Sequence, residues 1–254
     1  MLDKITPVIL TFNEQANIAR TLAKLGWASR IVVVDSYSTD QTKAICQQDD
    51  RVDFIQRKFD LLATQWIFAI DQSIKTEWVL ALDADYVLSD QLISELKSLQ
   101  TGDISGYWVE FDYMVNGKNL TQSLYPPVIA LYRVAGAGYT QDGHAQRVQV
   151  KGELGFLTSK IYHDDRKPFG RWLSSQWKYA RQEAKKLKYE SWSSLSNPDK
   201  LRKIGAAPLL IFPYTLFAKG LIFSGWPGIV YSGQRLVAEL ALQLARLKNL
   251  FTVV

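Results

Sequence analysis

Ile31-Val32-Val33-Val34 is an unbroken β-branched run that ends on Asp35-Ser36. A strand with no polar side has no face to turn to water, so it must be covered on both sides, as strands of parallel sheets are. Its surroundings repeat the theme. Residues 5–12 form a β-rich run, and 52–55 and 78–82 are two more apolar strand candidates. Between them lie helical stretches at 16–25 (Ile18, Leu22 and Leu25 on one face), 42–48, 64–74 and 89–99. Strands that alternate with helices predict an α/β protein with an open, mostly parallel sheet and helices flanking it.

Composition agrees with a packed core. Of 254 residues 47% are apolar and 22% charged, which excludes disorder, collagen and coiled coil and leaves room for one or two domains. The single cysteine, Cys46, excludes a disulfide framework and a cysteine-based zinc cage. It falls in a helix candidate and reads as packing. After residue 100 the texture changes. Residues 107–115 with Asn116-Gly117 read as a hairpin, 128–134 as a strand, and 136–143 as a turn-rich loop, together a small antiparallel addition. A boundary near 165 divides a first domain, 1–165, from a basic and apolar region, 166–254.

In open α/β sheets ligands bind beyond the carboxyl ends of the strands. Thr11-Phe12-Asn13-Glu14 ends the first strand, Asp35-Ser36 the second and Asp83-Ala84-Asp85 the fourth, so topology gathers three polar clusters at one edge. Asp83 and Asp85 are two apart, and in extended chain both carboxylates project to one side. Hard oxygen donors of this kind suit Mg²⁺ or Mn²⁺ with phosphates and water completing the shell. A solvated turn is the alternative for an isolated Asp-x-Asp, weakened here by the strand directly before it. No Gly-x-Gly-x-x-Gly follows the first strand, Gly117-Lys118 lacks the rest of a P-loop, and neither a nucleophile elbow nor a His-Glu-x-x-His helix occurs.

The ordered set Thr11-Phe12-Asn13-Glu14, Val32-Val33-Val34-Asp35-Ser36-Tyr37-Ser38-Thr39-Asp40-Gln41-Thr42 and Leu82-Asp83-Ala84-Asp85 resembles the family-2 inverting glycosyltransferases over roughly residues 4–190. It is similar in particular to the branch that contains lipopolysaccharide-core glucosyltransferases. The resemblance implies a GT-A-type fold, a divalent cation (Mn²⁺ or Mg²⁺) and a nucleotide-sugar donor, usually a UDP-sugar. By motif position Thr11, Phe12 and Glu14 border the nucleotide, Asp35 hydrogen-bonds the uracil, Asp83 meets the ribose or the metal, Asp85 binds the metal, and Gln65 is a further donor-side residue. His163 falls where related enzymes place a third metal ligand or a diphosphate contact, against a purely structural histidine. Arg166 and Lys167 are diphosphate contacts or a basic solvated surface, and His144 is a weaker candidate. Tyr37 stands where many relatives have Gly, and Tyr86 where many in this branch have Glu.

An inverting transfer needs a base on the acceptor side of the donor. Asp142 is the choice, from a Gly-flanked loop after the acceptor-side strands, with an ordinary Asp-Gly turn as the alternative and Asp112, Glu110 and Asp164 as runners-up.

The net charge of +5 is uneven, with eight Lys/Arg and only Glu183 as an acid in 166–188, a local +7. Residues 169–188 make a helix with Leu173, Trp177, Ala180, Ala184 and Leu187 on one face and Arg171, Lys178, Arg181, Lys185 and Lys188 on a second stripe. Two charge-free runs of 15 residues follow, 204–218 and 220–234, each short of a spanning helix and broken by Pro208, Pro213, Pro227 and glycines. Phe212, Tyr214, Phe217, Phe223, Trp226 and Tyr231 form an interfacial kind of aromatic belt. The region reads as a segment lying on one leaflet, with a buried helical hairpin as the alternative. Leu236, Leu240, Leu244 and Leu247 mark an amphipathic helix beyond it.

The N-terminal apolar run is too short for a signal peptide or span. These features suit an enzyme at the cytoplasmic face of a cell membrane, peripheral on an anionic surface, with a glycolipid, lipid-linked saccharide or surface-polysaccharide acceptor. A sugar transferase acting on polyprenyl phosphate and a non-catalytic membrane-bound nucleotide-sugar scaffold are the alternatives. Nucleic acid is not an expected partner, because the cations sit beside apolar aromatic segments and not on a groove-reading motif.

Overall fold

The computed structural model describes residues 1–73, 76–142 and 145–251. They fall into two compact units, one of Met1–Tyr113 and Tyr125–Arg166, the other of Met114–Leu124 and the described chain from Lys167 on.

In the first unit β1 (Ile5–Thr11), α1 (Ile18–Ala23), β2 (Ile31–Asp35), α2 (Thr42–Cys46), β3 (Val52–Gln56), α3 (Leu62–Ser73) and β4 (Trp78–Asp83) alternate as the sequence pattern requires. The end of α3 expected at Ile74 lies outside the described residues. After β4 come β5 (Tyr86–Leu88), α4 (Asp90–Ser98), β6 (Ile104–Val109), β7 (Phe111–Val115), β8 (Lys118–Asn119), β9 (Val128–Arg133), β10 (Ala137–Asp142), β11 (Ala145–Val150), β12 (Glu153–Phe156) and β13 (Ile161–His163).

The main sheet runs β12-β6-β9-β4-β1-β2-β3. β1 pairs parallel with β2 and β4, and β2 with β3, while β9 is antiparallel to both β4 and β6. β2 is buried at every position, as a strand without a polar face must be. One side packs Ile9, Val33 and Leu80 against α1 and α4; the other packs Val8, Val32 and Val79 against Trp66, Ala69 and Ile70 of α3. Cys46 is wholly buried, and burial, with Asp35 and Asp49 nearby, pushes its thiol up to about 12. Ser89 caps α4, accepting from Leu92 N at 3.1 Å.

Two expectations need correction. Residues 107–115 are not one arm of a hairpin: the chain leaves the main sheet at Glu110, and β7 pairs instead with β13. The hairpin at Asn116-Gly117 joins β7 to the two-residue β8. Ala137–Asp142, expected as part of a turn-rich loop over 136–143, is a strand. β10 pairs with β11 in a regular antiparallel ladder from Ala137↔Val150 to Asp142↔Ala145, and Trp66 stacks on Tyr139 at 5.6 Å between centroids. The glycines disguise a strand whose alternate residues, Tyr139 and Ala137, cover α3.

The second unit is helical beyond the β8 hairpin: α5 (Phe169–Tyr189), α6 (Asn197–Lys203), α7 (Ala207–Pro213), a π turn over Tyr214–Ala218, a 3-10 turn over Leu221–Ser224 and α8 (Trp226–Phe251). Ala180, Ala184 and Leu187 of α5 pack on Ala241, Leu242 and Ala245 of α8. Gly228 is required, because a Cβ there would stand 1.9 Å from the Leu221 carbonyl oxygen. Arg202 is clasped between Glu239 at 2.8 Å and Asp199 at 3.1 Å. Among the described residues no helix is long and apolar enough to cross a membrane.

Candidate functional site

The carboxyl ends of β1, β2 and β4 lie side by side, with Thr11 opposite Asp35 and Leu10 opposite Asp83. Parallel pairing therefore gathers the three polar clusters at one edge. Asp35 is wholly buried, and its two oxygens accept from Thr11 Oγ1 at 2.9 Å, Ser38 N at 2.8 Å, Gln56 Nε2 at 3.2 Å and Ser38 Oγ. In this arrangement the carboxylate faces its own loop, so it braces the 36–40 turn. Asn13 closes the same turn from β1, its Oδ1 accepting from Thr39 N at 2.6 Å while its own N donates to Ser38 Oγ at 2.6 Å. Phe12 and Tyr37 are half-exposed at this mouth. Gln65, on α3, is buried; its Oε1 accepts from Arg57 Nη1 at 2.5 Å and its Nε2 donates to Ser36 Oγ at 3.2 Å.

The Asp83-Ala84-Asp85 turn is held from two sides. Thr21 Oγ1 donates to the Ala84 carbonyl at 2.7 Å, and Asp164 N donates to the Asp85 carbonyl at 3.1 Å. Asp85 Oδ2 stands 3.3 Å from His163 Nε2, brought there by the antiparallel pairing of β13 with β5. Among the described residues no group of three His, Cys, Asp or Glu side chains is preassembled, so Asp83 does not join this pair in one cluster. The His163 ring sits in an aromatic box of Tyr86, Phe111, Tyr113 and Tyr125, with centroids 4.5–6.1 Å away. Burial pulls its pKa down, but Asp85, Asp83 and Asp165 together outweigh that and raise it. Tyr86 and Tyr125 share a hydroxyl contact, and burial holds both phenols well above their ordinary range. Tyr86 is thus a neutral group at this edge.

A polar knot missed in the sequence lies behind this edge. Asn17, 1% exposed, donates Nδ2 to Glu14 Oε2 and to Asp165 Oδ1, both at 2.9 Å. Its Oδ1 accepts from Arg20 Nη2 at 2.8 Å and Arg166 N at 3.0 Å. Buried Asp164 takes Arg20 Nη1 at 2.6 Å and Arg166 Nη2 at 2.8 Å. Glu14 and Arg166 are thereby tied to one hub, Arg166 with its side chain half-exposed. Asp164 thus has its Oδ2 engaged by two guanidinium groups. Asp112 and Glu110 flank Lys160 at 3.5 and 3.4 Å. Asp142 closes β10, and its side chain, like His144, lies outside the described residues.

Residues 6–137, more than half of the chain, match the Glycosyl transferase family 2. The chain belongs to this family. An uncharacterized glycosyltransferase of Rickettsia felis is 33% identical over 103 residues, which is 38% of this chain and 34% of that protein. The match thus spans about a third of the curated relative's length. The mannosyltransferase PcManGT from Pyrobaculum calidifontis, solved with GDP-Man and Mn²⁺, shares the fold of this family-2 chain at a TM-score of 0.53, with 16% identity over 97% of this chain and 87% of that one. Glucosyl-3-phosphoglycerate synthase from Mycobacterium tuberculosis aligns at a TM-score of 0.48 with 13% identity, over 73% of this chain and 79% of that one.

The donor set fits a divalent ion. Asp85 Oδ2 and His163 Nε2 are 3.3 Å apart, a separation at which one ion reaches both. The raised proton affinity of His163 marks the gap as a place that favours positive charge. Hard cations of the Mg²⁺ kind are held by one or two carboxylates plus substrate phosphates, so a three-ligand cage is not required.

Proposed function

We propose that the chain is a metal-dependent inverting glycosyltransferase that moves a sugar from a nucleotide donor, UDP-linked by the resemblance of its motifs, to a membrane-linked glycolipid or surface-polysaccharide acceptor. The observation that carries this reading is the Asp85–His163 pair at the carboxyl edge of a family-2 sheet, beside a loop braced by Asp35. The Pyrobaculum mannosyltransferase of the same fold holds GDP-Man and Mn²⁺, which supports a nucleotide sugar and a divalent ion here.

Asp85 and His163, with Asp83 two positions earlier in the chain as a further candidate, would hold Mn²⁺ or Mg²⁺, which when bound neutralises charge on a departing nucleoside diphosphate. Arg166, with its backbone N–H fixed by Asn17 and its guanidinium by Asp164, presents positive charge to the same diphosphate. Thr11, Phe12, Glu14 and Gln65 frame the nucleotide end. Asp35 serves that end by shaping the 36–40 turn. Asp142 accepts the proton of the attacking acceptor hydroxyl from the side opposite the leaving group.

The exposed apolar side chains of the second unit support the further reading of a peripheral place on the cytoplasmic face of a cell membrane, as the resemblance to the lipopolysaccharide-core branch implies. Leu209 is 80% and Phe223 87% exposed, with Phe217 and Trp226 also largely exposed. Large apolar side chains in such number on one region suit a lipid surface. The basic stripe of α5 suits anionic headgroups, each cation adding about 1 kcal/mol near such a surface.

Calorimetric titration of UDP with and without Mn²⁺, on wild type and Asp85→Ala, tests the donor site. Metal-dependent binding that Asp85→Ala removes is expected. Binding indifferent to both metal and substitution would reduce Asp83-Ala84-Asp85 to a turn.

A further inference from the structure

Tyr37 is left over by the chemistry above, and its backbone is unusual. Its φ is +60°, in the left-handed region where a Cβ crowds the following carbonyl. The other non-glycine residues there are Asn13 and Asn116, short amides that tolerate it. Tyr37 is therefore the one large side chain held in this conformation among the described residues. The turn enforces it: Asp35 grips Ser38 N at 2.8 Å, and Asn13 grips Thr39 N at 2.6 Å. The result throws the ring outward, 55% exposed, with no hydrogen-bond or ring partner among the described residues. The ring thus adds strain without a hydrogen bond or ring stack to offset it among the described residues. Strain of this kind persists at binding and switch sites, so the observed outlier points to a ligand.

The order of the sheet says which part of a ligand. Along its carboxyl edge stand β4 with Asp83 and Asp85, then β1 with Phe12, then β2 with Tyr37. The β4 and β2 ends are two strand spacings apart, roughly 10 Å. The charged end of a nucleoside diphosphate belongs at β4, and its base therefore reaches β2. We propose that Tyr37 is a specificity-determining residue, an aromatic platform on which the donor's nucleobase stacks, pre-set by the strained turn that Asp35 holds. This rests on the nucleotide-sugar reading and deepens it.

The test uses the full chain with Mn²⁺ and two probes, UDP and inorganic pyrophosphate, in wild type, Tyr37→Gly and Tyr37→Phe. Tyr37→Gly is expected to weaken UDP about tenfold, the effect of losing one base–aromatic stack. Pyrophosphate affinity should not move, and relief of the left-handed strain should raise Tm by about 2–4 °C. Tyr37→Phe should keep UDP affinity within about twofold. A variant that gains stability while losing only the nucleoside cannot be explained by a structural role for the ring. Unchanged UDP affinity in Tyr37→Gly, or an equal loss for pyrophosphate, overturns the platform and leaves the donor site standing. A wild type that binds neither probe removes the donor-site reading and the platform with it.

Discussion

The two units solve opposite problems. The first hides polar groups: Asn17, Asp35, Gln65 and Asp164 are all buried, each with hydrogen-bonding partners that lie on other segments. The second, among the described residues, buries an ion cluster of Lys186, Asp199, Arg202 and Glu239 and leaves Leu209, Phe217, Phe223 and Trp226 outside. Buried hydrogen-bonded polarity fixes loops in one geometry, which a site for a charged, directional ligand needs. Exposed apolar surface fixes nothing and gains only when water leaves it, which suits a fluid, undirected partner such as lipid. The contrast also appears in a groove of about 530 Å³ between α5 and α8, walled by Leu173, Trp177, Val237, Leu240 and Leu244.

Three substitutions press on this comparison. The largest effect is expected at the proposed general base: Asp142→Asn should lower transfer by roughly 10²–10⁴-fold while UDP affinity stays nearly intact. Turnover close to wild type, measured with a saturating donor, would move the base to Asp112 or Glu110. Next is the hub. Asn17→Ala removes four hydrogen bonds at once and should lower unfolding free energy by about 1–3 kcal/mol in urea titrations followed by tryptophan fluorescence. A change below about 0.5 kcal/mol would mean that the polar knot does not brace the edge. The smallest effect concerns the second unit. Phe223→Ser should cut partition onto phosphatidylglycerol vesicles by roughly tenfold, because burying one phenyl group contributes about 1.5–3 kcal/mol. Its stability should move by less than about 0.5 kcal/mol, as the side chain touches little. Undiminished vesicle binding would remove this side chain from the lipid contact.

How far the sequence could be read follows the same division. β1, β2 and β4 announce themselves because a doubly covered strand favours apolar residues, and the edge clusters then follow from topology. Asn17 gave no signal: it is one amide ahead of a short helix, and its partner Asp165 is 148 positions away in sequence. Asp35 was visible as a strand-end acid, yet its inward grip on Ser38 depends on a turn conformation that composition does not encode. β10 was concealed by Gly136 and Gly138 around Ala137, and its pairing with β11 becomes apparent only when Tyr139 is seen against Trp66. In the second unit α5 and the later turns of α8 were legible in their periodicity, but α6 and the tight crossing at Gly228 were not, since the Leu221 carbonyl it accommodates is defined by packing alone.

Cys46 has a practical consequence. A thiol sealed in the core, with its ionisation displaced to about 12, offers almost no thiolate at neutral pH. As the chain's only cysteine, it leaves the natural protein close to a blank background for maleimide chemistry. A dye or spin label placed at one new cysteine would report from that position alone, with no need to remove the native residue first.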